Sequence, residues 1–178
     1  YLKNKMNVLN EYSQIKEVAL RSPLSGFIDD EKLSTEWEAL RFHSKPDLNQ
    51  ATMEYNYFRN LLQDDGINII DLPSSKLLTI DSIYTRDSIL ISQDGLILCN
   101  MGRSSRTPEA IENFNTLTSR GYEIAGQIEA PGTLEGGDFI WINDHHAAVG
   151  HGPRTNAEGI RQLKEILGSS VELHIVML

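Results

Sequence analysis

The chain has 178 residues, 40% of them hydrophobic and 23% charged, with a formal net charge of −9 and a single cysteine, Cys99. An acidic surface repels phosphate backbones and argues against a nucleic-acid partner. No apolar run reaches the ~18 residues of a membrane-spanning helix. One cysteine excludes an internal disulfide framework and a multi-cysteine metal site, so a reducing cytosol is the expected location.

The first apolar segment, with Ile15, Val18 and Leu20, predicts a strand before Pro23. A helix is predicted from about Gln50 to Asp65, with Ala51, Tyr55, Phe58, Leu61 and Leu62 on one face. Gly66 stops it, and Ile67–Ile70 reads as a strand. Ile89–Ser92, then Gln93-Asp94-Gly95, then Leu96–Leu98 reads as a hairpin. Thr107 is the expected N-cap of the next helix, with Pro108 at its first position and Ile111, Phe114 and Leu117 along its stripe. Gly121 ends it, and Tyr122–Ile124 follows as a strand. A second hairpin is read at Phe139–Ile142, Asn143-Asp144 and Ala147–Val149. The last helix starts near Thr155 or Asn156, carries Ile160, Leu163 and Leu167, and ends at Gly168 before the strand Val171–Met177.

The unit is therefore strand, strand, helix, strand, recurring at roughly 50 residues. Such units bury their faces only by stacking, around an axis or along a line. Arg106-Thr107 and Arg154-Thr155 occupy matching places in two units, each after a hairpin and before a helix. Related by rotation, both guanidinium groups could reach a shared centre; the plain alternative is two surface arginines on loops. Both ends read as edges of a longer chain: the first residue is Tyr1, and the apolar run Val171–Leu178 stops abruptly.

The densest chemical signal is Ala130-Pro131-Gly132-Thr133-Leu134-Glu135-Gly136-Gly137-Asp138. Two glycines beside a carboxylate let a ligand approach the backbone closely, and the carboxylate can accept paired hydrogen bonds from a planar cation. A turn entering a strand is the simpler alternative. Thr85-Arg86-Asp87 stands at another strand entrance. It is either an exposed ion pair worth under ~1 kcal/mol or, if Asp87 points inward, a second anion for the same cation.

These segments, with Gly152-Pro153-Arg154-Thr155-Asn156-Ala157-Glu158-Gly159-Ile160, occur in the order and at the spacing of a known group. The chain resembles the guanidine-modifying superfamily of dimethylarginine dimethylaminohydrolases, arginine deiminases and amidinotransferases. Trp37 followed by Pro46, and Glu54 on the helix leading to Gly66, also resemble that group's first repeat. The likeness covers nearly the whole chain.

The resemblance implies an α/β propeller of the pentein type, with five ββαβ-like blades around a central active-site channel, about three of them here. Residues 1–178 would form one partial catalytic domain. The substrate would be a small guanidino compound, usually an arginine-like amino acid. By matching motifs, Glu135 would orient the guanidinium and assist proton transfer, and Asp87 would pair with its other nitrogens. Arg154 would hold the substrate carboxylate, with Arg106 as a second clamp and Arg103 as its rival. Two arginines disfavour a decarboxylated substrate.

The implied chemistry is covalent: a cysteine thiolate attacks the guanidinium carbon, a histidine moves protons, and water or an acceptor amine resolves the adduct. No metal or organic cofactor is implied. The nucleophile and the histidine would lie beyond Leu178. Cys99, in an apolar strand, reads as a buried inert thiol. His145 and His146 read as a solvent-facing hairpin turn, His151 lies in the glycine-rich loop before Arg154, and His43 and His174 have no visible partner. Amidine hydrolase, amidinotransferase and a non-catalytic guanidinium binder all stay open, as does the oligomeric state, a homodimer included.

Overall fold

The computed structural model describes residues 9–178. They form an α/β fold in two compact units, one of residues 14–85 and the other of 9–13 with 86–178. Among the described residues no helix is long and apolar enough to cross a membrane.

The unit of residues 14–85 holds β1 (Glu17–Leu20), α1 (Pro23–Gly26), α2 (Asp30–Glu36), α3 (Leu48–Asp64) and β2 (Asn68–Asp71). β1 and β2 pair in parallel from Glu17↔Asn68 to Leu20↔Asp71. Asp47 caps α3 by accepting from the Gln50 amide at 2.8 Å. Gly66 ends the helix region at φ +77°, a conformation that costs glycine little. The core is Phe27, Leu33 and Ile80, with Trp37, Leu48, Ala51 and Ile83 packed against it. The expected apolar stripe of α3 is only partly used. Ala51, Tyr55 and Leu62 are half-buried, whereas Phe58 and Leu61 are 47% and 50% exposed. The helix meets this small core through Leu48 and Ala51 in its first turn, and burial fades along the later stripe at Phe58 and Leu61.

The second unit shows the repeat directly. β3 (Ile89–Ser92), β4 (Gly95–Leu98), α4 (Glu109–Thr118) and β5 (Ile124–Gln127) build one sheet, in the order β3-β4-β5. β6 (Phe139–Asn143), β7 (His146–His151), α5 (Ala157–Leu167) and β8 (Glu172–Met177) build the next, in the order β6-β7-β8. In each sheet the hairpin is antiparallel and the strand after the helix returns parallel to the hairpin's second strand. Leu90, Ile97, Leu134, Phe139, Val149 and Leu163 share one core. Each such side chain contributes about 1.5–3 kcal/mol when fully buried. Trp141 packs edge-on to Phe139 and donates its indole N–H to the Ile91 carbonyl at 2.8 Å, tying the two sheets together.

Two local expectations are corrected. Thr107 is not an N-cap: it closes a 3₁₀ turn, Ser104–Arg106, with helical angles (φ −51°, ψ −37°). An N-cap needs extended backbone, so α4 begins after Pro108 with no side-chain cap. The strand read at Tyr122–Ile124 lies later, at Ile124–Gln127. The start of α5 resolves to Asn156, whose side chain accepts from the Gly159 amide at 2.8 Å.

Candidate functional site

Glu135 lies at the end of the loop entering β6 and is 4% exposed. A carboxylate so buried needs donors, and it has them. Oε1 accepts from the Gly102 amide at 3.2 Å, and Oε2 accepts from Arg154 Nη1 at 2.7 Å. An ionised carboxylate offers about four lone-pair sites, so acceptor capacity is left for a ligand. The Arg154 side chain is 41% exposed while sitting on this buried anion.

Every residue of Arg154-Thr155-Asn156 holds the Glu135 loop. Arg154 binds the carboxylate. The Thr155 hydroxyl accepts from the Glu135 amide at 3.2 Å and donates to Asp138 Oδ2 at 2.6 Å. Asn156 accepts from the Thr133 amide at 3.0 Å and donates to the Pro131 carbonyl at 2.8 Å while it caps α5. The two motifs are thus halves of one hydrogen-bonded unit.

Asp87 ends a 3₁₀ turn before β3, and its Oδ2 accepts from Arg106 Nη1 at 2.7 Å. Arg106 is 2% exposed and also donates, in bidentate fashion, to Glu109 through Nε at 2.7 Å and Nη2 at 2.8 Å. Burial pulls its pKa down, but the bonds to Glu109 and then Asp87 outweigh that, so the net shift is up and the charge is fixed. Arg103 is half-buried, and its carbonyl accepts from the Arg106 amide at 3.0 Å.

The glycines of the Glu135 loop explain how Asp87 and this loop come together. A Cβ on Gly137 would lie 2.7 Å from Asp87 Oδ1, and one on Gly136 would strike the Arg86 carbonyl oxygen. The loop passes directly over Asp87 because both positions lack a side chain. Cys99 is buried nearby. Burial pushes its thiol well above the ordinary range, and the Asp87 and Glu135 carboxylates push it further. Those charges therefore bear on the same sulfur, from one region of the fold. Three carboxylates, Asp87, Glu109 and Glu135, are bonded by two guanidinium groups, those of Arg106 and Arg154.

Sequence reasoning singled out Glu135, Asp87, Arg154 and Arg106. It missed Glu109, Thr155 and Asn156 as structural partners, although Glu109 stands three residues from Arg106, a spacing that places helical neighbours together. The histidines sit elsewhere: His151 lies against Met177, and His145 against the Ser170 carbonyl. His174, expected to lack a partner, stacks on His146.

Comparison with known proteins places this chain in a family. Residues 32–175 match the family described as N,N dimethylarginine dimethylhydrolase, eukaryotic. A dimethylarginine dimethylaminohydrolase of Pseudomonas aeruginosa is 35% identical over 140 residues, which cover 75% of this chain and 54% of that protein. The crystal structure of a dimethylarginine dimethylaminohydrolase adduct with S-methyl-L-thiocitrulline superposes with a TM-score of 0.76 at 30% identity, over 93% of this chain and 62% of that one. An amidinotransferase from Microseira wollei shares the fold, with a TM-score of 0.74 at 16% identity over 95% of this chain and 61% of that one. The chain spans about half the length of the curated relative. It belongs to the N,N dimethylarginine dimethylhydrolase family, within the guanidine-modifying superfamily.

Proposed function

We propose that this chain carries the guanidinium-binding part of an amidine hydrolase acting on arginine or methylated arginine, releasing an amine or ammonia and a citrulline-like ureido product. The observation that carries the reading is the pair of acids, Asp87 and Glu135, from successive repeats. Each is held by its own arginine, and a glycine loop folds the two together. A guanidinium is a poor electrophile. Two carboxylates that hold it planar expose its carbon to attack from one face, and fixed geometry supplies much of the rate.

In this reading Glu135 binds the substrate guanidinium through its remaining acceptor sites and relays a proton to or from its nitrogens. Asp87 takes the other nitrogens. Arg106 is a positioning residue that fixes Asp87, and the half-exposed Arg154 meets the substrate carboxylate. The buried, strongly protonated Cys99 is unsuited to attack. We therefore assign the nucleophilic thiolate and the acid–base histidine to residues outside the described ones. The thiolate forms a C–S bond, the amine leaves with a proton from the histidine, and water then cleaves that bond to give the urea and restore the thiolate. We read the repeated sheets as blades of a five-bladed propeller, the chain as one partial domain of it, and the cytosol as its location.

The test is an assay of ureido product with the full-length protein on arginine, N-methylated arginine and decarboxylated arginine. Product from the methylated substrate is expected, and little from the decarboxylated one. Silence on all three overturns the hydrolase, and amidino transfer to an added amine would replace it with a transferase.

A further inference from the structure

One cluster takes no part in the acid–arginine pairs. His146 opens β7 and lies opposite Glu172 in the parallel ladder, and His174 lies opposite Ala148. The two-residue period of a strand therefore puts His146, Glu172 and His174 on one face of the sheet. The imidazoles stack with centroids 5.5 Å apart and planes 18° from parallel. His146 Nδ1 is 3.2 Å from His174 Nε2 and 3.6 Å from Glu172 Oε2. One ligand atom from each of the three residues lies within 4.8 Å of the others.

Ligands about 2.0–2.1 Å from a tetrahedral zinc ion stand about 3.3 Å from each other. The separation between the two imidazole nitrogens is close to that edge, and the one to Glu172 is somewhat longer. The side chains are 40%, 66% and 45% exposed for His146, Glu172 and His174, so an ion can reach them from solvent. We propose that His146, Glu172 and His174 form a binding site for a divalent transition metal of the zinc class, with water completing its coordination. Imidazole nitrogens select zinc, nickel and copper, whereas magnesium and calcium prefer all-oxygen sets. The bound ion clips β7 to β8 at the open end of their ladder, and binding to the folded state alone raises its stability.

The experiment takes the full-length protein, stripped with a chelator, and titrates it with zinc chloride by calorimetry, with magnesium chloride as the control. Zinc is expected to bind and raise the Tm while magnesium does neither. His146→Gln and His174→Gln should each weaken this binding by at least about tenfold, since removing even an outer partner of a metal ligand costs 10–100-fold. Circular dichroism without metal confirms that the variants fold. If they do not, histidine modification by diethyl pyrocarbonate on the unaltered protein decides instead, with zinc expected to protect His146 and His174 selectively. Zinc binding undiminished in the folded double variant, no zinc binding at all, or modification of both histidines regardless of zinc overturns the site.

Discussion

Glu135 accepts a hydrogen bond from Arg154, nineteen residues downstream, and Asp87 accepts one from Arg106 across the same interval, both at 2.7 Å. The equality follows from the repeat. In each case the acid precedes the hairpin and the arginine precedes the helix, so identical topology returns identical pairs. Their surroundings then diverge. Glu109 makes the Arg106 pair a buried triad, while Arg154 stays half open to solvent. In one copy the arginine is enclosed, and in the other a half-exposed arginine sits on a buried acid.

That divergence predicts opposite mutant behaviour. Arg106→Met leaves Glu109 and Asp87 without their counter-charge and should destabilise the protein by about 3–5 kcal/mol, the penalty of breaking a buried pair. Arg154→Met takes one donor from the buried Glu135 but leaves the Gly102 amide and opens a half-exposed position to water, so it should cost less, about 1–3 kcal/mol, while raising KM for a substrate with a carboxylate. Thermal unfolding and steady-state kinetics on the two variants separate these effects. Equal Tm losses would contradict the assignment.

Glu135→Gln keeps the shape of the side chain and an acceptor for the Gly102 amide. It loses the charge that holds a guanidinium. Turnover should fall by at least about 100-fold, the usual reach of a positioned acid–base group, with little change in circular dichroism. A variant that retained near-full kcat would remove Glu135 from the chemistry.

Much of this arrangement was legible in the residue pattern. The hairpins announced themselves by apolar runs around Asp94-Gly95 and Asn143-Asp144, and α5 by its stripe between Asn156 and Gly168. The Thr107 cap misled because a local threonine signal lost to the 3₁₀ turn preceding α4. The stripe of α3 predicted more burial than its own unit supplies at Phe58 and Leu61. At the site, charges and glycines were visible, but distance was not. Nothing in a linear pattern says that Arg154 meets Glu135, or that Thr155, readable as a cap, instead fastens the loop.

Gly136 and Gly137 test whether the loop must lie on Asp87. In Gly137→Ala the new methyl meets the Asp87 carboxylate, the end of a side chain that can give slightly. Stability should drop by roughly 1–3 kcal/mol, the range for overpacking, and KM should rise. In Gly136→Ala the obstacle is the Arg86 backbone, which cannot retreat, so the loss should be larger. Thermal midpoints in the reverse order would show that the loop does not rest as described.

Cys99 ties burial to pH. Its thiol is raised well above the ordinary value of 9.0, first by desolvation and then by the Asp87 and Glu135 charges. A group whose folded pKa is raised stabilises the fold below its unfolded pKa and loses that contribution as pH climbs toward the folded one. Cys99 should therefore leave stability flat below pH 9 and lower it above, through deprotonation of the unfolded chain. Cys99→Ala should flatten that alkaline decline, and Cys99→Ser should keep turnover nearly intact while lowering the Tm through a buried hydroxyl. Iodoacetamide should leave the native thiol unmodified at neutral pH and label it once denaturant is added. Rapid native labelling, or a Cys99→Ser variant that folds but cannot turn over, would make this thiol a reactive group rather than a core one.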